Sequence, residues 1–215
     1  MNSAITTVEA SEAARRALRA AAHSAILGHM GRVLGHTAAS IGVSERTLRR
    51  YVNDGLLRAR RVGSQLELGA QEERYLYSHH KLLTQLRTTL RTERNVRLAV
   101  LFGSMATGDD GGDSDVDILV TLEVNEPRDL AALRRRIQTA LDRRVHLVTL
   151  DDASRAPSLL ADVLEEGRVL IDRDGLWTPV INSRELVLKR ARREEAALMR
   201  KAAAAVSAAR QRAHA

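Results

Sequence analysis

Gly103-Ser104 and Asp115-Val116-Asp117 are the residues of this chain whose types and spacing best suit chemistry. Residues 98–102 (Leu-Ala-Val-Leu-Phe) are apolar and read as a short buried strand. Gly103-Ser104 ends it. Glycine lets the backbone turn sharply and approach a ligand closely. The serine brings a hydroxyl, and backbone N–H groups of a helix starting here can face phosphate oxygens. After an acidic, glycine-rich connection, Asp115-Val116-Asp117-Ile118-Leu119-Val120 reads as a second strand. Alternation puts Asp115 and Asp117 on one face and Val116, Ile118 and Val120 on the other. Two neighbouring carboxylates repel each other unless a cation joins them. Mg²⁺, or Mn²⁺ in its place, suits such a pair, because hard cations take carboxylate and phosphate oxygens together. These parts can hold ATP or another nucleoside triphosphate with its metal.

Gly103-Ser104-x10-Asp115-x-Asp117 resembles the signature of the DNA polymerase β-like nucleotidyltransferases in their minimal form. Ala106, Gly108, Ser114 and Leu119 fit that family's usual wording. The likeness continues through Arg144-Val145-His146-Leu147-Val148, a helix, and Glu166-Gly167-Arg168-Val169-Leu170-Ile171. The resemblance implies transfer of a nucleoside monophosphate, often AMP from ATP, to a hydroxyl, with release of pyrophosphate. It implies Asp115 and Asp117 as metal ligands, and Gly103, Ser104 and Ser114 around the nucleotide. The family usually carries a third carboxylate on the later strand, where this chain has His146. A histidine can act as a general base near neutral pH. It is a poor ligand for Mg²⁺. Nucleotide binding is therefore expected ahead of efficient transfer, with His146 as the third catalytic candidate. Asp142, Asp151 and Asp152 lie nearby in sequence as substitutes.

The elements that must position these groups follow from the rest of the chain. Its 215 residues leave room for one large or two small domains. Aromatics are only 2%, so Leu, Val, Ile and Ala must fill the core. The absence of cysteine excludes disulfides, thiolate zinc sites and thiol nucleophiles, and fits a reducing cytoplasm. No apolar run reaches membrane-spanning length, and residues 1–14 lack the apolar core of a secretory signal. Charge is uneven: residues 1–95 carry +7, residues 96–174 carry −6 and residues 175–215 carry +6. The acidic middle suits a cation-loaded site. The basic ends suit an anionic polymer or an acidic protein face.

Residues 37–51 have helix-turn-helix spacing: small Ala38 where helices cross, Gly42 for the turn, Ser44 as N-cap, Leu48 and Tyr51 inward. Arg46, Arg49 and Arg50 are left for an outer face that could enter a DNA groove. Gly63-Ser64 between two partly alternating runs suggests a hairpin, or wing, with Arg58, Arg60 and Arg61 at its base. The stretch from about residue 33 to 68 resembles MerR-like winged helices. Residues 71–92 predict a linking helix with a stripe of Leu76, Leu83, Leu86 and Leu90. Arg74 and His79 superficially match a HEPN ribonuclease pattern. Tyr75 stands where that pattern has a polar residue, so Tyr75, Tyr77, His79 and His80 are read as helix surface or interface. Residues 182–185 resemble a capping box, and a long helix is expected from there to residue 212. Its thin stripe (Val187, Ala191, Leu198, Ala202, Val206, Ala209) would dock on the linker helix or on a second subunit.

The expected fold is α/β (α+β). A winged helix-turn-helix (1–70) and linker helix (71–95) precede a minimal nucleotidyltransferase with a mixed sheet (96–174). A basic helix (175–215) ends the chain. Three functions follow. One is a nucleotidyltransferase acting on a protein or RNA hydroxyl; family members of this size often act as antitoxins that modify or mask a toxin. The second is a DNA-binding regulator with a vestigial, nucleotide-sensing domain. The third is an antitoxin that neutralises by contact and represses its own operon. Expected partners are operator DNA, a cognate toxin and a second copy of the chain, with no membrane.

Overall fold

A computed structural model describes residues 32–213. Residues 1–31, including the stretch tested for a secretory signal, and the side chains of Val206 and Ala209 lie outside that description.

The chain enters through β1 (Arg32–Val33), α1 (Leu34–Ile41) and α2 (Glu45–Asn53). Gly42 makes the turn between the helices at φ +71°. The Val43 N–H closes the turn on the Ala38 carbonyl at 3.0 Å. Ser44 caps α2, its hydroxyl accepting from the Thr47 N–H at 3.1 Å. Such a cap is worth about 1 kcal/mol. Ala38, Leu48 and Tyr51 are buried. β2 (Arg60–Val62) and β3 (Gln65–Leu68) form an antiparallel hairpin, and β1 pairs on the far side of β3. α3 (Ala70–Thr92) then buries Leu76, Leu83, Leu86 and Leu90 completely.

β4 (Val96–Phe102), α4 (Ser104–Thr107), β5 (Val116–Leu122), α5 (Pro127–Leu141), β6 (Val145–Thr149), α6 (Leu150–Ser154), α7 (Pro157–Glu166) and β7 (Arg168–Asp172) follow. The sheet order is β6-β5-β4-β7. β5 and β6 are parallel, as the crossover through α5 requires, and the other pairs are antiparallel. The sheet is therefore mixed, as expected. Both faces are covered. Val116, Ile118 and Val120 share a core with leucines of α3 and with Leu133 and Ile137 of α5. Leu119 faces the other way, toward Ala153, Leu160, Val163 and Val187. Gly167 lets α7 turn into β7, since a Cβ there would lie 2.3 Å from the Val163 carbonyl oxygen.

α8 (Trp177–Asn182) and α9 (Arg184–Ala213) end the description. The long helix is present, but it does not dock on the linker helix. α9 packs on α7, not on α3, because α3 is already covered by the sheet and α5. Ser183 ends α8, its hydroxyl donating to the Val180 carbonyl. Val187 is buried, while Leu198 of the same stripe is 66% exposed. Of the four α3 residues read as helix surface or interface, Tyr75 and His79 are interior, because both turn under the loop that follows α4. No helix among the described residues is long and apolar enough to cross a membrane.

Candidate active site

The β4–β5 register sets Phe102 opposite Asp117, so the bend after β4 meets the carboxylate. Gly103 adopts φ +71° and ψ −158°, and a Cβ there would lie 2.9 Å from Asp117 Oδ2. Glycine is required by the backbone angle and by the closeness of the carboxylate. Ser104 opens α4 with its hydroxyl unpartnered among the described residues. Asp115 stands just before β5, and Asp117 lies within it. Ser114 accepts from the Gly111 N–H at 2.8 Å and so holds the loop turn.

β6 runs parallel to β5 in a register that pairs Asp117 with His146. The imidazole spans both carboxylates: Nδ1 is 3.3 Å from Asp117 Oδ1, and Nε2 is 3.5 Å from Asp115 Oδ2. Asp115, Asp117 and His146 are thus together, next to Gly103. Burial pushes the Asp117 carboxyl above its usual range, His146 opposes this, and Asp115 adds to it. The alternative carboxylates are elsewhere. Asp142 caps α5 in a left-handed conformation at φ +51°. Asp151 and Asp152 follow the far end of β6, where Asp152 accepts from the Thr149 hydroxyl and pairs with Arg155.

Arg144 was not anticipated. Its Nε lies 2.7 Å from Asp115 Oδ1. That oxygen is nonetheless buried without a hydrogen bond, so the contact is electrostatic and misaligned. An orphaned buried carboxylate oxygen beside a carboxyl that resists ionisation suits a divalent cation. Among the described residues no set of three His, Cys, Asp or Glu side chains is arranged to hold a metal. A cation here would rely on Asp115 and Asp117 and complete its shell with phosphate and water oxygens, as Mg²⁺ commonly does.

A second charged cluster also escaped the sequence reading. Arg168, 2% exposed, meets Glu72 through Nη1 at 2.5 Å and Nη2 at 3.0 Å. It also donates to the carbonyls of Ala106 in α4 (2.6 Å) and Leu56 (3.1 Å). Its guanidinium lies 3.5 Å over the Tyr75 ring, which stacks on His79 at 4.4 Å. His79 contacts the Tyr75 carbonyl at 2.8 Å through Nδ1 and Asp110 Oδ1 at 2.6 Å through Nε2. This chain of contacts joins the segment after α2, the helix α3, α4 and the loop before Asp115. The available signal was a lone arginine at the head of the apolar run of β7.

The six arginines expected to meet DNA fall into three groups. Arg46, Arg50 and Arg61 are exposed, with no ion pair or side-chain hydrogen bond among the described residues. Arg49 pairs with Glu45, and Arg60 with Glu67. Arg58 instead donates to the carbonyls of Glu165 and Glu166 at the end of α7, which ties it to the protein.

Residues 84–175 match the family described as polymerase beta, nucleotidyltransferase. No curated protein matches the chain. Among solved structures, a toxin–antitoxin complex with AMP-PNP is similar at 24% identity and a TM-score of 0.47, over 56% of this chain and 97% of that one. An MntA–HepT toxin–antitoxin structure is similar at 22% identity and a TM-score of 0.45, over 57% and 97%. A complex of a tri-AMPylated Shewanella oneidensis HEPN toxin with its MNT antitoxin gives 22% identity and a TM-score of 0.42, over 60% and 98%. With its mixed sheet, the stretch of this chain that the family model matches, residues 84–175, is consistent with a polymerase β-like nucleotidyltransferase fold.

Proposed function

We propose that this protein transfers a nucleoside monophosphate, AMP from ATP, to a hydroxyl on a partner. The observation that carries the reading is Asp117 set against the Gly103 bend, with Asp115 and His146 beside it. Gly103 and Ser104 would cradle the triphosphate, because the bend has no side chain to exclude it. Asp115 and Asp117 would hold Mg²⁺ or Mn²⁺, which when bound neutralises phosphate charge and supports the leaving pyrophosphate. His146 can accept the proton of the attacking hydroxyl. The partner we favour is a cognate toxin, on the family resemblance carried by residues 103–117. The test is incubation with α-labelled ATP, Mg²⁺ or Mn²⁺ and the product of the adjacent gene. Label on that partner, absent with Asp117→Ala, supports the reading; equal labelling by both proteins ends it.

A second reading is a DNA-binding regulator whose nucleotide site senses without transferring. It is favoured by His146 in place of a carboxylate and by the exposed Arg46 and Arg50 on α2. In both readings residues 32–70 act as a winged helix on operator DNA, repressing the protein's own operon. Arg50→Ala should weaken operator binding and lower its salt slope by about 1, as expected for one lost phosphate contact. An unchanged slope would remove α2 from the interface.

A further inference from the structure

A cleft of about 330 Å³ opens between α3 and the loop that follows α4, lined by Ser78, His79, Lys81, Met105, Asp110 and Arg143 among others. Its size falls at the lower end of small-molecule sites, roughly 300–1,000 Å³. Its charges are unbalanced. Asp110 is engaged by His79 through a 2.6 Å contact. Lys81 is exposed, with no ion pair among the described residues. Arg143 has no ion pair or side-chain hydrogen bond there either, and its Nη1 is buried without any partner. Two cationic side chains beside one already engaged carboxylate leave net positive charge in the cleft, and a guanidinium suits phosphate oxygens. Two chain segments lead from the cleft toward the candidate active site. Arg143 is followed by Arg144, whose Nε lies 2.7 Å from Asp115. Gly108 and Asp110, in its wall, belong to the loop that leads to Asp115.

We propose that this cleft is a phosphate-binding subsite, in which Arg143 and Lys81 hold a phosphate group. The phosphate has two sources: the end of the bound nucleotide, or an ester on the acceptor. Choosing between them rests on the nucleotidyl-transfer reading; the subsite itself does not.

The experiment is calorimetry on the full chain with two probes, phenyl phosphate and ATP with Mg²⁺. It compares wild type, Arg143→Gln, Lys81→Gln, Arg143→Lys and Asp117→Asn, with thermal melting to confirm folding. Phenyl phosphate should bind wild type and Asp117→Asn alike. It should weaken about tenfold in Arg143→Gln, less in Lys81→Gln, and recover in Arg143→Lys. If ATP affinity is unaffected by Arg143→Gln, the acceptor supplies the phosphate. If ATP weakens in parallel, the nucleotide supplies it. If neither Arg143→Gln nor Lys81→Gln alters the binding of either probe, the subsite is overturned. Loss of ATP binding in Asp117→Asn would still leave the nucleotide site standing in that case. ATP binding untouched by Asp117→Asn would count against the nucleotide site alone.

Discussion

Arg168 and Asp115 both stand where a strand of the central sheet starts, and both bury charged atoms, but the protein finishes only one of the two sites. Arg168 is closed on every side: Glu72 takes its charge, the carbonyls of Ala106 and Leu56 take further N–H groups, and Tyr75 covers its face. Asp115 and Asp117 face a part-exposed edge, where one oxygen has no hydrogen bond and one carboxyl is destabilised in its ionised form. Satisfied burial produces a fixed joint. Unsatisfied burial produces a place where something else completes the interaction. The joint also holds α4 and the loop before Asp115, so the open site is positioned by the closed one.

The sharpest test of that contrast is to remove one group from each. Asp117→Ala should lower nucleotidyl transfer about 10³-fold, since a bound metal supplies several kcal/mol of transition-state stabilisation. It should leave the melting temperature unchanged or slightly raised. Radiolabel transfer and thermal melting on the same samples check both halves. Glu72→Gln should do the reverse in kind, leaving a buried guanidinium without its counter-charge. A loss of about 3–5 kcal/mol is expected in denaturant unfolding. The double variant Glu72→Leu with Arg168→Met should recover much of it, because well-packed apolar residues can replace a buried pair. If Glu72→Gln left stability intact and abolished transfer, the joint would belong to the active site and the contrast would fail.

Much of the fold was legible because it rests on local signals. Ser44, Gly42 and the Leu48/Tyr51 spacing wrote the helix pair, and Gly63-Ser64 wrote the hairpin. The Gly103-to-Asp117 spacing brought the bend and the carboxylates to one place because the two strands are adjacent and antiparallel. What was not legible is long-range. Nothing near Arg168 in sequence indicates that its partner is Glu72, nearly a hundred residues away. Tyr75 and His79 could be read only as helix surface or interface, since nothing local says what covers them; the loop around Asp110 and the cation over the ring explain their burial. The dock of α9 on α7 depended on knowing that α3 was already taken.

The His146 position refines the open site by a smaller step. His146→Asp adds a hard oxygen ligand opposite Asp117 and removes the imidazole that now engages both carboxylates. Mg²⁺-dependent transfer should rise about tenfold. An unchanged rate would mean that the third position contributes neither a ligand nor a base.

The smallest effect concerns pH. Asp117 holds its proton more tightly folded than unfolded, its carboxyl being raised from an ordinary 3.8 chiefly by burial. The folded state therefore carries the extra proton in the window between 3.8 and the raised value, and stability falls as pH rises through that window. Below the window the penalty is absent; above it the penalty is full and constant. Asp117→Asn cannot ionise, so it should match the wild type in acid and gain on it at neutral pH, by less than about 1 kcal/mol. Melting curves of both proteins across that range, without divalent metal, measure the gap. A gap that shrank with rising pH would mean that His146 outweighs burial, and the carboxylate edge would then be self-compensated like Arg168.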